Sequence, residues 1–199
     1  MTDTAPVPRH DDVLGSGSPP WAVRLAQRLE QSPVPERYDT PLQAVAGALL
    51  SSPRIRGLLH GDWLGHAVHP FLTDVPVGAW TSAALLDLSG RGDVRPAAQY
   101  LVGAGLVAAV PTAVTGVAEW GRTEGAASRV GVVHAASNVT ALAFYSGSFA
   151  VRRAGRHRLG VLLGLAGLTA AGAGGFLGSH LAFARKVGSR HPAFAQPPT

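Results

Sequence analysis

His66, His69 and Asp74 stand at the entrance to a long apolar run, in the stretch HAVHPFLTDVPVGAW. Polar residues recur near the ends of three later apolar runs. These are Thr112 and Thr115 with Glu119-Trp120, then His134 with Asn138, then His180. An imidazole or carboxylate inside an apolar segment costs a few kcal/mol unless it faces a partner or a ligand. Neutral imidazole ligates haem iron, and imidazole with carboxylate suits zinc or iron. Cysteine is absent, so thiolate ligation and disulfides within this chain are excluded.

The elements that carry these residues are apolar to an unusual degree. Hydrophobic residues make up 46% of the 199, and charged residues only 15%, well below the usual quarter or so. The apolar residues are bunched between about 67 and 184, as in a polytopic membrane protein. The net charge is +5, with basic residues scattered over the termini and between apolar runs. No basic stripe interleaved with aromatics is present, which speaks against nucleic-acid binding and for headgroup anchors.

Residues 1–20 read as a disordered tail, without the basic and apolar regions of a signal peptide. Residues 21–64 read as short interfacial helices. In the first, Trp21, Leu25 and Leu29 share a face and Arg24 and Arg28 another. A second is expected to start with Thr40 as cap and Pro41 as first residue, and to be closed by Pro53. Residues 65–188 then hold four spans, about 70–88, 97–117, 130–151 and 159–183, each close to the roughly 20 residues a bilayer requires. Residues 189–199 form a second disordered tail. The expected fold is all-α, an antiparallel bundle of four transmembrane helices.

Short connections place the polar positions on one side. The first span starts where the N-terminal arm lies, bringing His66, His69 and Asp74. The second returns there with Glu119, the third leaves with His134 and Asn138, and the fourth comes back to His180. The opposite side receives only Asp87 and exposed arginines. Alternatives stay open residue by residue: His66 as a headgroup residue, Asp74 as a cap, Glu119-Trp120 as an interface anchor, and His134 and His180 as packed, hydrogen-bonded residues. His10, His60, His157 and His191 fall in loops or tails and take no site role. In the fourth span, Gly160/Gly164 and Gly174/Gly178 are small-xxx-small pairs that suit close packing, a homo-oligomer contact, or room for a flat cofactor.

The motifs LGHAVHPFLTDVPVGAWTSAALLDL, PTAVTGVAEW, VGVVHAASNVTAL and GFLGSHLAFARKVG together resemble the domain-of-unknown-function 2231 family, over about residues 55–190. The resemblance implies a four-span bacterial membrane protein. Its pattern falls on His69-Pro70, Pro76, Gly78, Trp80, Asp87, Thr115-Gly116, Trp120, His134, Asn138 and His180-Leu181. Two positions depart from it: Glu119 replaces the usual Asp, and Ser179 the usual second glycine. Some relatives carry a Rieske iron–sulfur domain after the fourth span, which makes a separate Rieske-type or other soluble redox protein a candidate partner.

Three functions follow as expectations. The first is a membrane electron-transfer module holding haem b between helices, with His134 and His180 as axial pair and His69 as substitute. The second is a divalent-metal site, zinc or iron, built from His69, Asp74, Glu119, His134 and His180. In both, Asn138, Trp80 and Trp120 support the ligands from behind. The third is a scaffold whose polar cluster locks the helices. No nucleophile or phosphate loop is recognisable, so the chain is not read as an enzyme. Seven basic residues flank the arm side and six the other, so charge hardly sets the orientation. The long polar arm places both termini in the cytoplasm.

Overall fold

The computed structural model describes residues 18–33 and 36–188. Among them the chain forms seven α-helices and no strand. Three short ones come first: α1 (Trp21–Gln31), α2 (Glu36–Leu49) and α3 (Pro53–His60). Four long ones follow: α4 (Val68–Leu88), α5 (Arg95–Trp120), α6 (Gly125–Arg153) and α7 (His157–Ser179). The last runs on into a wide π turn, His180–Ala184. The tail expected at 189–199 and residues 1–17, with His10 and His191, lie outside the described residues.

The arm departs from expectation in two places. Pro53 opens a third helix instead of closing the second, because a proline at the first helical position gives up an N–H that would be unpaired anyway. The preceding helix begins at Glu36, a turn before Thr40, since residues 36–39 contain no glycine or proline to stop it. In α1, Ala26 and Glu30 are buried while Trp21 and Leu25 face outward. That leaves an aromatic and apolar face suited to a membrane interface.

Two helical stretches are long and apolar enough to cross a membrane: α5, of 26 residues, and His157–Ala184, of 28. α4, of 21 residues, and α6, of 29, are more polar. The first carries His69, Thr73, Asp74 and Asp87, and the second Arg129, His134, Asn138 and several serines and threonines.

The long helices form two hairpins, α4–α5 and α6–α7, each tightly packed within itself and more sparsely against the other. The inward residues follow one rule in all four. In α4 they are His69, Thr73, Pro76, Trp80, Ala83 and Asp87; in α6, His134, Asn138, Ala141, Tyr145, Ser148 and Arg152. In α5 they are Ala98, Val102, Gly105, Ala109, Thr112 and Gly116; in α7, Gly160, Gly164, Gly167, Ala171, Gly174 and Gly178. Steps alternate between four and three, the heptad spacing that keeps one seam turned inward. The second hairpin therefore repeats the first. Equivalent residues meet at three heights: His69 with His134, Trp80 with Tyr145, Asp87 with Arg152. An axis relating the halves must pass through all three meetings, so it runs along the helices, as in parallel-repeat membrane proteins.

Candidate functional site

Each hairpin holds its histidine in the same way. His69 Nδ1 donates to the Thr112 carbonyl at 2.9 Å, across from α4 to α5. His134 Nδ1 donates to the Gly174 carbonyl at 2.8 Å, across from α6 to α7. A carbonyl only accepts, so in both rings Nδ1 carries the proton and Nε2 the lone pair. One turn further along the partner helix a glycine leaves room for the ring. A Cβ at Gly116 would lie 2.8 Å from His69 Cε1, and one at Gly178 would lie 3.0 Å from His134 Cε1. The two imidazoles meet edge to face, their centres 6.3 Å apart and their planes at 89°. Asn138, one turn along α6, donates to His134 Nε2 at 3.0 Å. Its amide lies over Gly174, where any side chain would collide with it.

Proline 76 helps join the first hairpin. It has no N–H for the Leu72 carbonyl. Thr112 Oγ1 lies 3.2 Å from that freed oxygen and 2.9 Å from its own Ala108 carbonyl, sharing one hydrogen between them.

Midway along the axis Trp80 and Tyr145 stack with centres 4.1 Å apart and planes 12° from parallel. Trp80 Nε1 donates to the Val102 carbonyl at 3.3 Å. Both rings rest on glycines, Gly105 and Gly167. At the far end Arg152 closes on Asp87 with two hydrogen bonds, of 3.0 and 2.6 Å, and both side chains are almost fully buried. Arg152 also donates to Ser148 Oγ at 3.1 Å, and Ser148 donates to the Gly160 carbonyl at 2.6 Å. His157 Nε2 lies 3.6 Å from Asp87. Arg152 was expected among exposed arginines. It is buried because a carboxylate at the equivalent position of the other hairpin neutralises it.

The expected histidines thus divide. His69 and His134 come together, whereas His180 turns to the arm, where its Nε2 lies 2.6 Å from Glu30 Oε1. Arg185 grips both oxygens of the same carboxylate. The Glu30 carboxyl is held below its ordinary 4.5, chiefly by Arg185, against the opposing effect of burial and with help from His180. Arg129 Nε donates to the Glu30 carbonyl at 2.6 Å, so one residue of α1 docks the arm on α6 and on the end of α7.

Asp74 is exposed on the outer face of α4, and Glu119 is buried near the arm. Among the described residues no group of three or more His, Cys, Asp or Glu side chains is arranged to hold a metal ion, so the five expected metal ligands do not gather. Trp120 Nε1 donates to the Ser128 carbonyl at 3.2 Å and lies over Gly131, joining α5 to α6. His60, expected in a loop without a role, is 5% exposed at the end of α3 and donates from Nε2 to the Ala118 carbonyl at 3.1 Å. The glycines at 160, 164, 167, 174 and 178 face side chains of this same chain.

Glu30, Tyr145 and Arg152 escaped the sequence reading. Tyr145 and Arg152 had a signal, because α6 repeats the inward spacing of α4 from His69 to Asp87. Glu30 had none, since its partner His180 is 150 residues away.

Helices of membrane-spanning length, an apolar exterior and paired polar groups on an internal axis define an all-α membrane protein. The chain belongs to DUF2231, a family described as a predicted membrane protein, whose pattern matches residues 65–191. No curated protein and no solved structure matches the chain.

Proposed function

We propose that the chain crosses the bacterial cytoplasmic membrane four times, as an antiparallel bundle of two repeated hairpins. We further propose that His69 and His134 are the axial ligands of a haem b in an electron-transfer module. The observation that carries this is the matched anchoring of the two rings. Each gives its Nδ1 proton to a carbonyl of its own hairpin, as metal-bound imidazoles do, which orients Nε2 and raises its basicity. The donor set is two imidazoles with neither thiolate nor carboxylate beside them, which suits haem iron better than zinc. His180 takes no part in this site, because Glu30 holds it.

Heptad faces in all four long helices support four spans, and the outward Trp21 and Leu25 support an interfacial arm. Both termini then lie on one side, which we place in the cytoplasm. A soluble redox protein, Rieske-type or other, would exchange electrons with the site from the arm side. Gly175, with open space around it, is the position at which α7 could meet a second copy.

A second reading is favoured by one bond. Asn138 already occupies the His134 lone pair, so the paired rings can serve as a lock between hairpins with no cofactor. Absorption spectra of the protein purified after expression with ample haem separate the two. The first reading expects a Soret band that His69→Ala and His134→Ala each abolish and His180→Ala keeps. A colourless protein leaves the lock, and elemental analysis of the same sample tests a bound zinc or iron ion.

A further inference from the structure

A cleft of about 590 Å³ opens where the arm meets the ends of the long helices. This is the size range of small-molecule sites, about 300–1,000 Å³. Its floor carries two buried acceptors. Glu119 is 6% exposed and its Oε2 has no hydrogen-bond partner among the described residues. His60 Nε2 gives its proton to Ala118, so His60 Nδ1 is a lone pair, and it too is buried without a partner. Burial holds this imidazole below its ordinary 6.5, which keeps the lone pair available. Asp62 stands within electrostatic range of both. An unpartnered carboxylate oxygen at such a place is costly unless a donor or a cation reaches it.

The rim carries exposed charges of both signs. Arg122 and Lys186 line it beside Asp62 and Glu124, and Arg185 is already engaged by Glu30. Acceptors on the floor and cations on the rim are complementary to a zwitterion with an ammonium at one end and a phosphate at the other. Position narrows the choice of source. Both helical stretches of membrane-spanning length end at this cleft, α5 at Trp120 and the π turn at Ala184. That is the depth of lipid headgroups, on the membrane reading that family membership establishes.

We propose that the cleft binds the headgroup of a phosphatidylethanolamine-type lipid, its primary ammonium donating to Glu119 and His60 and its phosphate lying against Arg122 and Lys186. A primary ammonium brings three N–H donors, enough for both acceptors. A choline headgroup has the same charges and no N–H, and so leaves both unsatisfied. The Gly188 backbone passes over the carboxylate, where a Cβ would lie 2.8 Å from Glu119 Oε2.

The test uses the full chain in detergent, titrated with short-chain phosphatidylethanolamine, phosphatidylcholine and phosphatidylglycerol, and with free phosphoethanolamine. Binding is read by native mass spectrometry and by the unfolding midpoint. Expected is a preference for ethanolamine over choline lipid of about tenfold or more, the worth of a hydrogen bond to a charged group. Glu119→Gln should erase that preference, and Arg122→Ala should weaken the ethanolamine lipid while keeping it. Equal binding of ethanolamine and choline lipids by the unaltered protein overturns the proposal, whether or not Glu119→Gln folds. Tightest binding by the glycerol lipid overturns it in favour of a plain phosphate site. Free phosphoethanolamine binding as tightly as the lipid overturns the lipid source and leaves a soluble zwitterion.

Discussion

Asp87 and Arg152 occupy equivalent positions of the two hairpins, 65 residues apart, and close on each other as a buried bidentate pair. Removing the carboxylate leaves a guanidinium buried beside Ser148 with no counter-charge. Asp87→Ala should therefore cost about 3–5 kcal/mol, more than a surface pair would. Thermal unfolding of the purified variant measures it, and Asp87→Ala with Arg152→Leu should recover much of the loss. A double variant no more stable than Asp87→Ala alone contradicts the pairing.

Gly105 and Gly167 should be intolerant of alanine, in that order. A Cβ at Gly105 would run into the Trp80 indole, and one at Gly167 would come 2.9 Å from the Tyr145 ring. Overpacking of this kind costs about 1–3 kcal/mol. Gly172→Ala, in open space, serves as control and should gain slightly in helix propensity. Unfolding midpoints that rank Gly105→Ala with Gly172→Ala would refute the stacked core.

Acid should release the arm. The folded Glu30 carboxyl sits below its ordinary value, so its contribution is complete above about pH 4.5 and is lost as pH falls through the folded value. His60 acts in the same direction. Burial lowers it, so the free arm takes up a proton first, and docking weakens as pH drops below about 6.5. Spin labels on α1 and α6 should show short distances at neutral pH and a broad, longer distribution in acid. Glu30→Gln should show the broad distribution already at neutral pH. An unchanged distribution from neutral pH to well below the ordinary carboxyl value contradicts this account.

Asn138→Ala should separate support from ligation. The variant loses one hydrogen bond, to His134 Nε2, at a cost of about 0.5–1.5 kcal/mol. If His69 and His134 ligate haem, the variant retains its Soret band, because the lost amide competes for the ligand's lone pair. Loss of colour in Asn138→Ala with the fold intact would show that the amide positions the ligand instead.

Much of the fold is legible from local pattern. Apolar runs locate the four long helices to within about five residues at each end, and the polar interruptions identify His69 and His134. What could not be read is pairing. His180 lies closest in the chain to the end of α7 and looks like a partner for His134, but its actual partner is on α1, and nothing in local spacing reports so distant a contact. The repeat was hidden for another reason. Its halves match by complement: tryptophan faces tyrosine and aspartate faces arginine. A comparison for likeness finds little, because what is preserved is the position of the face and the fit across it.

That complementarity decides which halves can associate. Were the first hairpin to pair with another copy of itself, Asp87 would meet Asp87 in a dry interior, and two copies of the second would bring Arg152 against Arg152. Each like-charged meeting carries a penalty that only the unlike half relieves. A hairpin freed during synthesis, or offered by a neighbouring molecule, is therefore rejected unless it is the other half. The ion pair at the far end acts as an assembly rule, admitting one half of each kind and excluding doubles.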